Sequence, residues 1–342
     1  MSLFTPRRIG QMSPGGSLIT YLLLLAWAAF VIFPIYWLVI TSFKSISDVN
    51  AGPVYLPFID FQPSLHAWKD LLIEDWDDTR RAYVNSIIIA LCSTGLSVLV
   101  GSMAAYALVR VTYAPRFSTI LLFVLSLGGA LAASLAYGVD WRLAGAVAVA
   151  IFVLAVRGLG NRFAATLGNG DILFWMISQR ILAPVVVVVP IYMMFQSVGL
   201  LDTRTAIIVT YAVINLPIVV WLMFDFFNSI PRDLEESAQL DGATMFTVFR
   251  EVVLPLSKPG LAATTLLVMI LAWNEYLLAL FLSTADAQTM PILVAAMNAG
   301  ERGILWWTMS AVIVVMILPV LVLAIVLQRF ISKGILVGAV KG

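Results

Sequence analysis

The sequence predicts an all-α polytopic membrane protein with about eight transmembrane helices, in which residues 1–342 form a single transmembrane domain. Two observations favour this class. Hydrophobic residues make up 61% of the chain and charged residues only 11%, whereas soluble domains carry about 25% charged residues. The apolar residues are also grouped in long runs, and a helix needs roughly 20 of them to cross the hydrocarbon core of a bilayer. We therefore expect membrane lipid to surround most of this chain.

The apolar runs give the expected spans in chain order. Seven have the length of a full crossing, at about 18–41, 84–108, 117–138, 180–198, 205–227, 260–283 and 309–328. The eighth, 143–158, is short and rich in alanine and valine, so it could instead be a re-entrant segment or an interfacial helix. Arg7 and Arg8 precede the first run, which lacks a small-residue cleavage site. We therefore expect a retained helix and not a cleaved signal peptide.

The basic residues predict the orientation of the chain, because lysine and arginine collect in short cytoplasmic loops. Eight spans with both termini in the cytoplasm leave the acidic segment 44–82 outside. The basic residues that they leave inside are Arg7, Arg8, Arg110, Arg116, Arg157, Arg162, Arg180, Arg329, Lys333 and Lys341. If 143–158 did not cross, the later loops would change sides and this bias would be lost. The charge pattern therefore favours eight crossings.

Several classes of function lack the residues that they require. A net charge of +1 argues against a nucleic-acid partner. Cys92 is the single cysteine and His66 the single histidine, so we expect no disulfide framework, no metal site and no membrane-embedded enzyme built on such residues. No glycine-rich loop ends in Gly-Lys-Ser/Thr, the pattern that cradles nucleotide phosphates. We therefore expect the chain to bind no cofactor and to have no ATPase site of its own.

A charged segment, residues 228–259, connects two spans and is expected to face the cytoplasm. Pro231 suits the first turn of a helix. Asp233, Glu235 and Glu236 would place negative charge at the positive amino-terminal end of that helix. The segment is thus expected to begin with a short helix whose charge complements its dipole.

The second half of this segment predicts an elbow and another short helix. Gly242 suits the left-handed residue that ends a helix. A second helix is expected over 243–253, before Leu254-Pro255. Ala238 and Ala243 are small, so another protein surface could approach the elbow closely. The alternative interpretation is a solvated amphipathic loop that has no partner.

The loop resembles the cytoplasmic signature of binding-protein-dependent ABC importer permeases. That signature is Glu-Ala-Ala, three residues, Gly, nine residues, an aliphatic residue, one residue and Leu-Pro. The matching residues here are Glu236-Ser237-Ala238, Gly242, Val252 and Leu254-Pro255. Ser237 departs from the first alanine of the signature, and it is small enough for docking to survive.

More of the chain resembles the carbohydrate-uptake branch of these permeases, specifically the smaller permease of maltose-transporter-like systems. The resembling segments are Phe33-Pro34-Ile35-Tyr36-Trp37, Thr41-Ser42-Phe43-Lys44, Asn85-Ser86, 104–110, Pro190-Ile191-Tyr192, 199–203, 272–276 and 338–342. Typical members have six spans. The resemblance thus implies an importer core over 84–328, with 113–175 as an atypical insert that adds two helices.

The resemblance implies a permease subunit of an ATP-driven importer in a bacterial inner membrane, and it implies three partners. These are a cytoplasmic ABC ATPase dimer that binds the ATP, a second homologous permease, and a periplasmic or lipid-anchored solute-binding protein. The residues implied to couple to the ATPase are Glu235, Glu236, Ser237, Ala238, Asp241, Gly242, Ala243, Leu254 and Pro255. The implied solute is a sugar or related carbohydrate, with a polyol, glycerol phosphate or oligosaccharide as alternatives.

Polar residues within the apolar runs are candidates for the solute pathway or for contacts between helices. Asn274 and Glu275 fall inside the expected span 260–283, where a charge is costly unless it faces a cavity or a partner. We expect the partner of Glu275 on another helix or on the second permease. Tyr276 and Asn215 complete this set. An ion-coupled transporter, the main alternative mechanism, would be expected to carry more intramembrane carboxylates.

Overall fold

The computed structural model describes residues 13–159, 166–298 and 305–339. Within these ranges the regular secondary structure is helical, accompanied by two isolated β-bridges. The predicted all-α class is therefore confirmed. Four of the basic residues that predict the orientation lie outside the described residues: Arg7, Arg8, Arg162 and Lys341.

Long helices follow the apolar runs, and short amphipathic pieces connect them. In chain order the helices are α1 (Pro14–Thr41), α2 (Ile46–Asn50), α3 (His66–Lys69), α4 (Trp76–Arg110), α5 (Phe117–Tyr137), α6 (Trp141–Leu159), α7 (Asn169–Ser178), α8 (Pro184–Ser197), α9 (Arg204–Asn228), α10 (Arg232–Leu240), α11 (Met245–Val248), α12 (Leu254–Leu256), α13 (Lys258–Trp273), α14 (Leu277–Leu282), α15 (Met290–Asn298) and α16 (Trp306–Ala339). Two π-helical turns, Asp70–Glu74 and Phe249–Val253, and one 3-10 turn, Gln179–Ile181, continue shorter helices.

Five helices in the described ranges are long and apolar enough to cross a membrane, namely α1, α4, α5, α9 and α16. Two bent pairs raise this number to seven if each pair forms one span. In the first pair, the segment ending at Ile181 meets α8 at 90°, and in the second, the segment ending at Leu256 meets α13 at 80°. The expected total of eight crossings stays a prediction, because α6 is not among these seven.

Two expected spans are shorter than the sequence suggested. The span expected at 180–198 begins only at Pro184, because proline disfavours helical backbone in the residue before it and fits the first turn of a new helix. The span expected at 260–283 ends at Trp273, and α14 starts after a break at residues 274–276. Apolar residues resume directly after both breaks, so composition alone did not reveal them.

The chain divides into two compact units, and each is held together by its own contacts. Unit 1 contains residues 1–89, 192–207 and 273–324, and unit 2 contains residues 90–191, 208–272 and 325–342. In unit 1, Leu71 and Met290 are fully buried in a cluster with residues from α16. The Trp273 indole N–H donates to the Met316 carbonyl at 3.0 Å, so a buried polar group in this unit has a partner.

A single carboxylate joins two loops of unit 1. Asp202 accepts hydrogen bonds of 3.0–3.1 Å from the backbone N–H groups of residues 284–287 and one of 2.8 Å from the Thr284 hydroxyl. Its own N–H donates to the Leu282 carbonyl at 2.9 Å. Partial burial alone would raise the pKa of Asp202, but the backbone N–H groups stabilise the charged form and hold the pKa well below its usual range.

Unit 2 is built on the packing of α4 against α9. Ser97 donates its hydroxyl to the Ala212 carbonyl at 3.0 Å, and it also bonds within its own helix. Near the end of α4, the rings of Tyr106, Phe227 and Phe249 form a mutually contacting trio with centroids 4.9–6.1 Å apart. Aromatic rings at these separations favour tilted or edge-to-face geometry, which this trio adopts.

The insert contains the two predicted helices, α5 and α6, as a hairpin. Gly138 ends α5 in a left-handed conformation with φ of 64°. Phe123 and Phe152 meet edge to face across the hairpin, with centroids 5.6 Å apart. At its base, the Asn169 side-chain amide donates to the Leu108 and Val111 carbonyls at 2.5 and 2.7 Å. The first residue of α7 thereby satisfies carbonyls at the carboxyl-terminal end of α4.

We expect Asp202→Asn to destabilise the protein in a pH-dependent manner. The folded pKa of Asp202 lies below its unfolded value, so its contribution is complete above about pH 4 and is lost as the pH falls towards the folded pKa. At pH 7 the melting temperature in detergent should fall by roughly 2–4 °C. The exposed Glu74→Gln serves as the control. A difference from wild type that does not shrink below about pH 4 would contradict the assignment.

We expect the α5–α6 hairpin to cross the membrane and return. Tyr137→Cys in a Cys92→Ser background places the only thiol at the tip, where the Tyr137 side chain is 84% exposed. A membrane-impermeant maleimide should label this thiol from the periplasmic side of intact cells. Labelling that requires access to the inner face would show that the hairpin does not reach across.

Candidate functional site: the loop of residues 228–259

The charged loop folds as the expected helix, elbow and second helix. Its first helix is α10, and Pro231 precedes this helix as the N-cap residue instead of lying in its first turn. Asp233 and Glu235 occupy the first turn, where they complement the positive end of the helix. The helix α10 is amphipathic, so one side of it packs against the protein and the other side is exposed.

Gly242 forms the elbow, as the sequence predicts. Its φ is 86°, which is the left-handed region that favours glycine. The Gly242 N–H donates to the Gln239 carbonyl and the Ala243 N–H to the Ala238 carbonyl, both at 3.0 Å. These two bonds are those of a Schellman motif, and they satisfy carbonyls left open at the end of α10. Apart from the neighbours of Gly242 in the chain, no atom of the described residues lies within 4 Å of the position that a Gly242 Cβ would take.

The second half of the loop differs from the prediction at both ends. Its helix begins at Met245 and not at residue 243, because the Thr244 hydroxyl accepts the Thr247 N–H at 3.2 Å and caps it. The helix continues through the π-helical turn and past Pro255 to Leu256. Pro255 lies within the first two positions of α12 and does not end the helix.

Glu235 points into the protein, whereas the sequence grouped it with residues that contact a partner. Its side chain belongs to the buried set, with a relative exposure of 3% for the residue. The Arg110 Nε donates to one carboxylate oxygen at 2.8 Å, and Arg110 Nη2 contacts the same oxygen. The Tyr106 hydroxyl donates to the other oxygen at 2.8 Å. Both oxygens of this buried carboxylate therefore have partners, as burial of a charge requires.

Arg110 connects α10 to two further elements. Its Nη2 also lies 3.3 Å from the carbonyls of Phe227 and Ile230, at the end of α9 and just beyond it. One guanidinium at the end of α4 thus contacts the end of α9 and the start of α10. We call Arg110, Glu235 and Tyr106 the Arg110 clasp. The sequence contains one sign of it, since residues 106 and 110 are four apart and share a helix face.

The remaining coupling candidates separate into an exposed set and a packed set. Glu236, Ser237, Asp241, Gly242 and Pro255 are exposed. The packed set lies partly buried against the core of unit 2 and consists of Ala238, Ala243 and Leu254. The packed residues hold the loop in place, and the exposed residues are available to another protein.

Exposed apolar residues surround the elbow, and they are not among the residues that the signature implies. Leu240 is 90% exposed, Phe246 is 61% exposed and Met245 is 47% exposed. We call these three residues the elbow patch. Their signal in the sequence is large apolar side chains within an otherwise polar loop. Large exposed apolar groups next to charged residues are typical of a surface that contacts another protein.

The polar candidates of the apolar runs lie in different parts of the structure, and their role in the pathway or between helices stays a prediction. A Glu275 carboxylate oxygen accepts the Leu278 N–H at 3.1 Å, in the first turn of α14. The sequence did not predict this local bond, because it did not predict the helix break, and a partner on another helix stays a prediction. Asn274 and Tyr276 are exposed in the same break of unit 1. Asn215 is buried within α9 in unit 2.

Comparison with known proteins supports the resemblance of the loop. Residues 170–337 match the family described as binding-protein-dependent transport system inner membrane component. The sulfoquinovosyl glycerol transport system permease protein SmoH of Agrobacterium fabrum is 29% identical, over 91% of this chain and 89% of that protein. The trehalose/maltose transport system permease protein MalG of Thermococcus litoralis is 26% identical, over 92% and 93% of the two chains.

A solved structure has a similar fold. It is a bacterial ABC transporter involved in the import of the acidic polysaccharide alginate, and it superposes with a TM-score of 0.59 at 22% identity. The similarity covers 95% of this chain and 99% of that chain. The family match contains the whole 228–259 loop, and the relatives align along about nine-tenths of the sequence. Residues 170–337 form a domain of the family of binding-protein-dependent transport inner membrane components, and the relatives that align along most of the chain are permease subunits of ABC transporters.

Proposed function

We propose that this permease imports a carbohydrate and that the 228–259 loop receives the movement of a cytoplasmic ABC ATPase. The solute class is supported by the relatives, whose names specify sulfoquinovosyl glycerol, trehalose or maltose, and diacetylchitobiose. A polyol or glycerol phosphate is the alternative solute. Screening ligands against the cognate binding protein decides between them.

The observation that carries the proposed coupling is the combination of an exposed surface with a rigid base. The elbow patch and the exposed Glu236 form the outer surface. The Arg110 clasp forms the base and joins the loop to the ends of α4 and α9. A push on the surface would therefore move long helices as rigid bodies, which is how interface movements change the conformation of packed helices.

The proposed importer has three further components besides this permease. An ATPase dimer binds ATP and docks on the elbow patch, so the permease itself needs no cofactor. A second homologous permease completes the pathway, and a periplasmic or lipid-anchored binding protein delivers the solute. The chain lies in the inner membrane with both termini and the 228–259 loop in the cytoplasm. The basic loop residues support this orientation.

We expect Gly242→Asp to abolish ATP-driven uptake while the protein still inserts. The variant strains a backbone with φ of 86° and adds a charge beside the elbow patch. Gly199→Asp is a matched control, because Gly199 has φ of 68°, open space around its Cβ position and the same pair of capping bonds. Uptake and ATPase activity are measured in proteoliposomes. An equal loss of uptake in both variants would show that backbone strain causes the effect, and it would contradict docking at the elbow.

We expect Glu235→Gln and Glu236→Gln to affect different properties. Glu235→Gln leaves the buried Arg110 without a counter-charge, so stability should fall by about 3 kcal/mol. Glu236→Gln changes an exposed side chain, so the melting temperature should stay near that of wild type while ATPase affinity weakens. Melting temperature and ATPase binding to the purified permease complex are measured. An equal drop in melting temperature for both variants would show that Glu235 does not position the loop.

A further inference from the structure

A polar cavity of about 420 Å³ lies in unit 1, apart from the loop that couples to the ATPase. It is lined by Asp77, Arg80, Arg81, Val84 and Arg204. Three arginines, one aspartate and one valine thus line it. We call this the arginine cavity. Its excess of positive charge distinguishes it from the rest of a chain whose net charge is only +1.

The guanidinium of Arg204 is held by a buried polar chain. Its Nε donates to the Asn85 side-chain oxygen at 2.7 Å. Asn85 has no exposed surface, and its amide donates to the Asp286 and Gln288 carbonyls at 2.8 and 2.9 Å. The bond to Asn85 engages only Nε of Arg204. A buried side chain therefore fixes one wall of the cavity in place.

The other two arginines have only loose counter-charges. Arg80 lies 4.0 Å from Asp77, and Arg81 lies 3.9 Å from Asp286. All four of these side chains are at least half exposed. Such pairs are weak, because water screens the attraction and ordering two long side chains costs entropy. An arriving anion could therefore replace the carboxylates as the partner of these arginines.

Helix dipoles reinforce the positive potential of the arginine cavity. Asp77, Arg80 and Arg81 lie in the first two turns of α4, and Arg204 is the first residue of α9. The amino-terminal end of a long helix carries partial positive charge. Two such ends supply residues to this cavity, so both the side chains and the backbone favour an anion there.

We propose that the arginine cavity binds the anionic group of an acidic carbohydrate on its way into the transporter, a carboxylate, sulfonate or phosphate carried on a sugar. This proposal rests on the proposed import of a carbohydrate and names its charge class. Guanidinium groups match the planar or tripodal oxygens of these anions by paired hydrogen bonds. The volume lies within the range of about 300–1,000 Å³ typical of small-molecule sites. Weak counter-charges suit a transport site, which must release its ligand as well as bind it.

Glucuronate, with glucose as its neutral counterpart, tests the proposal in the assembled transporter in nanodiscs, with binding measured by calorimetry without ATP. Glucuronate should bind, glucose should not, and added salt should weaken binding. Arg80→Gln and Arg81→Gln should each reduce affinity by about tenfold or more, because charge-assisted bonds to the anion are lost. Arg142→Gln is the matched control, since Arg142 is exposed but lies in the insert. The arginine variants remove only long, exposed ion pairs, so their folding is not at risk.

Three outcomes would overturn the proposal. These are no glucuronate binding, equal binding of glucose, and glucuronate affinity that is unchanged by Arg80→Gln and Arg81→Gln. The third outcome includes variants that weaken only the association with the binding protein, in which case the cavity is a docking surface. Because the binding measurement needs no ATP, its result does not depend on whether the transporter imports a solute. ATP-driven uptake of a neutral sugar alongside a failed glucuronate test would leave the proposed function standing and remove only the charge class.

Discussion

The arrangement of unit 2 depends on the ion pair between Arg110 and Glu235. A buried charge is costly in a protein interior unless it is paired and fully hydrogen-bonded. Arg110 meets that requirement by binding a carboxylate and two backbone carbonyls at once, and Glu235 meets it with the Tyr106 hydroxyl as its second partner. Because each charge needs the other, α4 and α10 cannot separate without exposing an unpaired charge, and the bonds to the Phe227 and Ile230 carbonyls hold the end of α9 to the same guanidinium. A loop that looks like a surface appendage is thereby part of the core.

Both units use polar side chains to connect distant segments of a chain that is mostly apolar. In each, a short polar side chain binds backbone groups of a segment far away in the sequence. Asp202 and Asn85 do so in unit 1, and Asn169 does so in unit 2. Backbone N–H and carbonyl groups at helix ends have no helical partner, and lipid offers them none. These side chains therefore satisfy the groups that the breaks between helices would leave open, and they fix loop positions as they do so.

Much of the fold could be predicted from the sequence, since apolar run length and glycine position act locally. The insert helices and the left-handed Gly242 are examples, as each depends on neighbouring residues only. The break at 274–276 could not be predicted in this way, because the apolar composition resumes directly after it. Nor could the inward direction of Glu235, because its partner Arg110 lies 125 positions earlier in the chain. A signature specifies residue types and spacing, and adjacent residues with the same charge can face opposite sides of one helix.

The π-helical turn at Phe249–Val253 sets the rotational phase of everything that follows it in the loop. Such a turn holds one residue more than an α-helical turn, and each residue advances an α-helix by about 100°. Removing one residue there would rotate Leu254 by that angle, away from the core against which it packs. The exposed Phe246, which comes before the turn, would keep its direction. The loop is consequently sensitive to single-residue insertions and deletions, so its length is constrained independently of its composition.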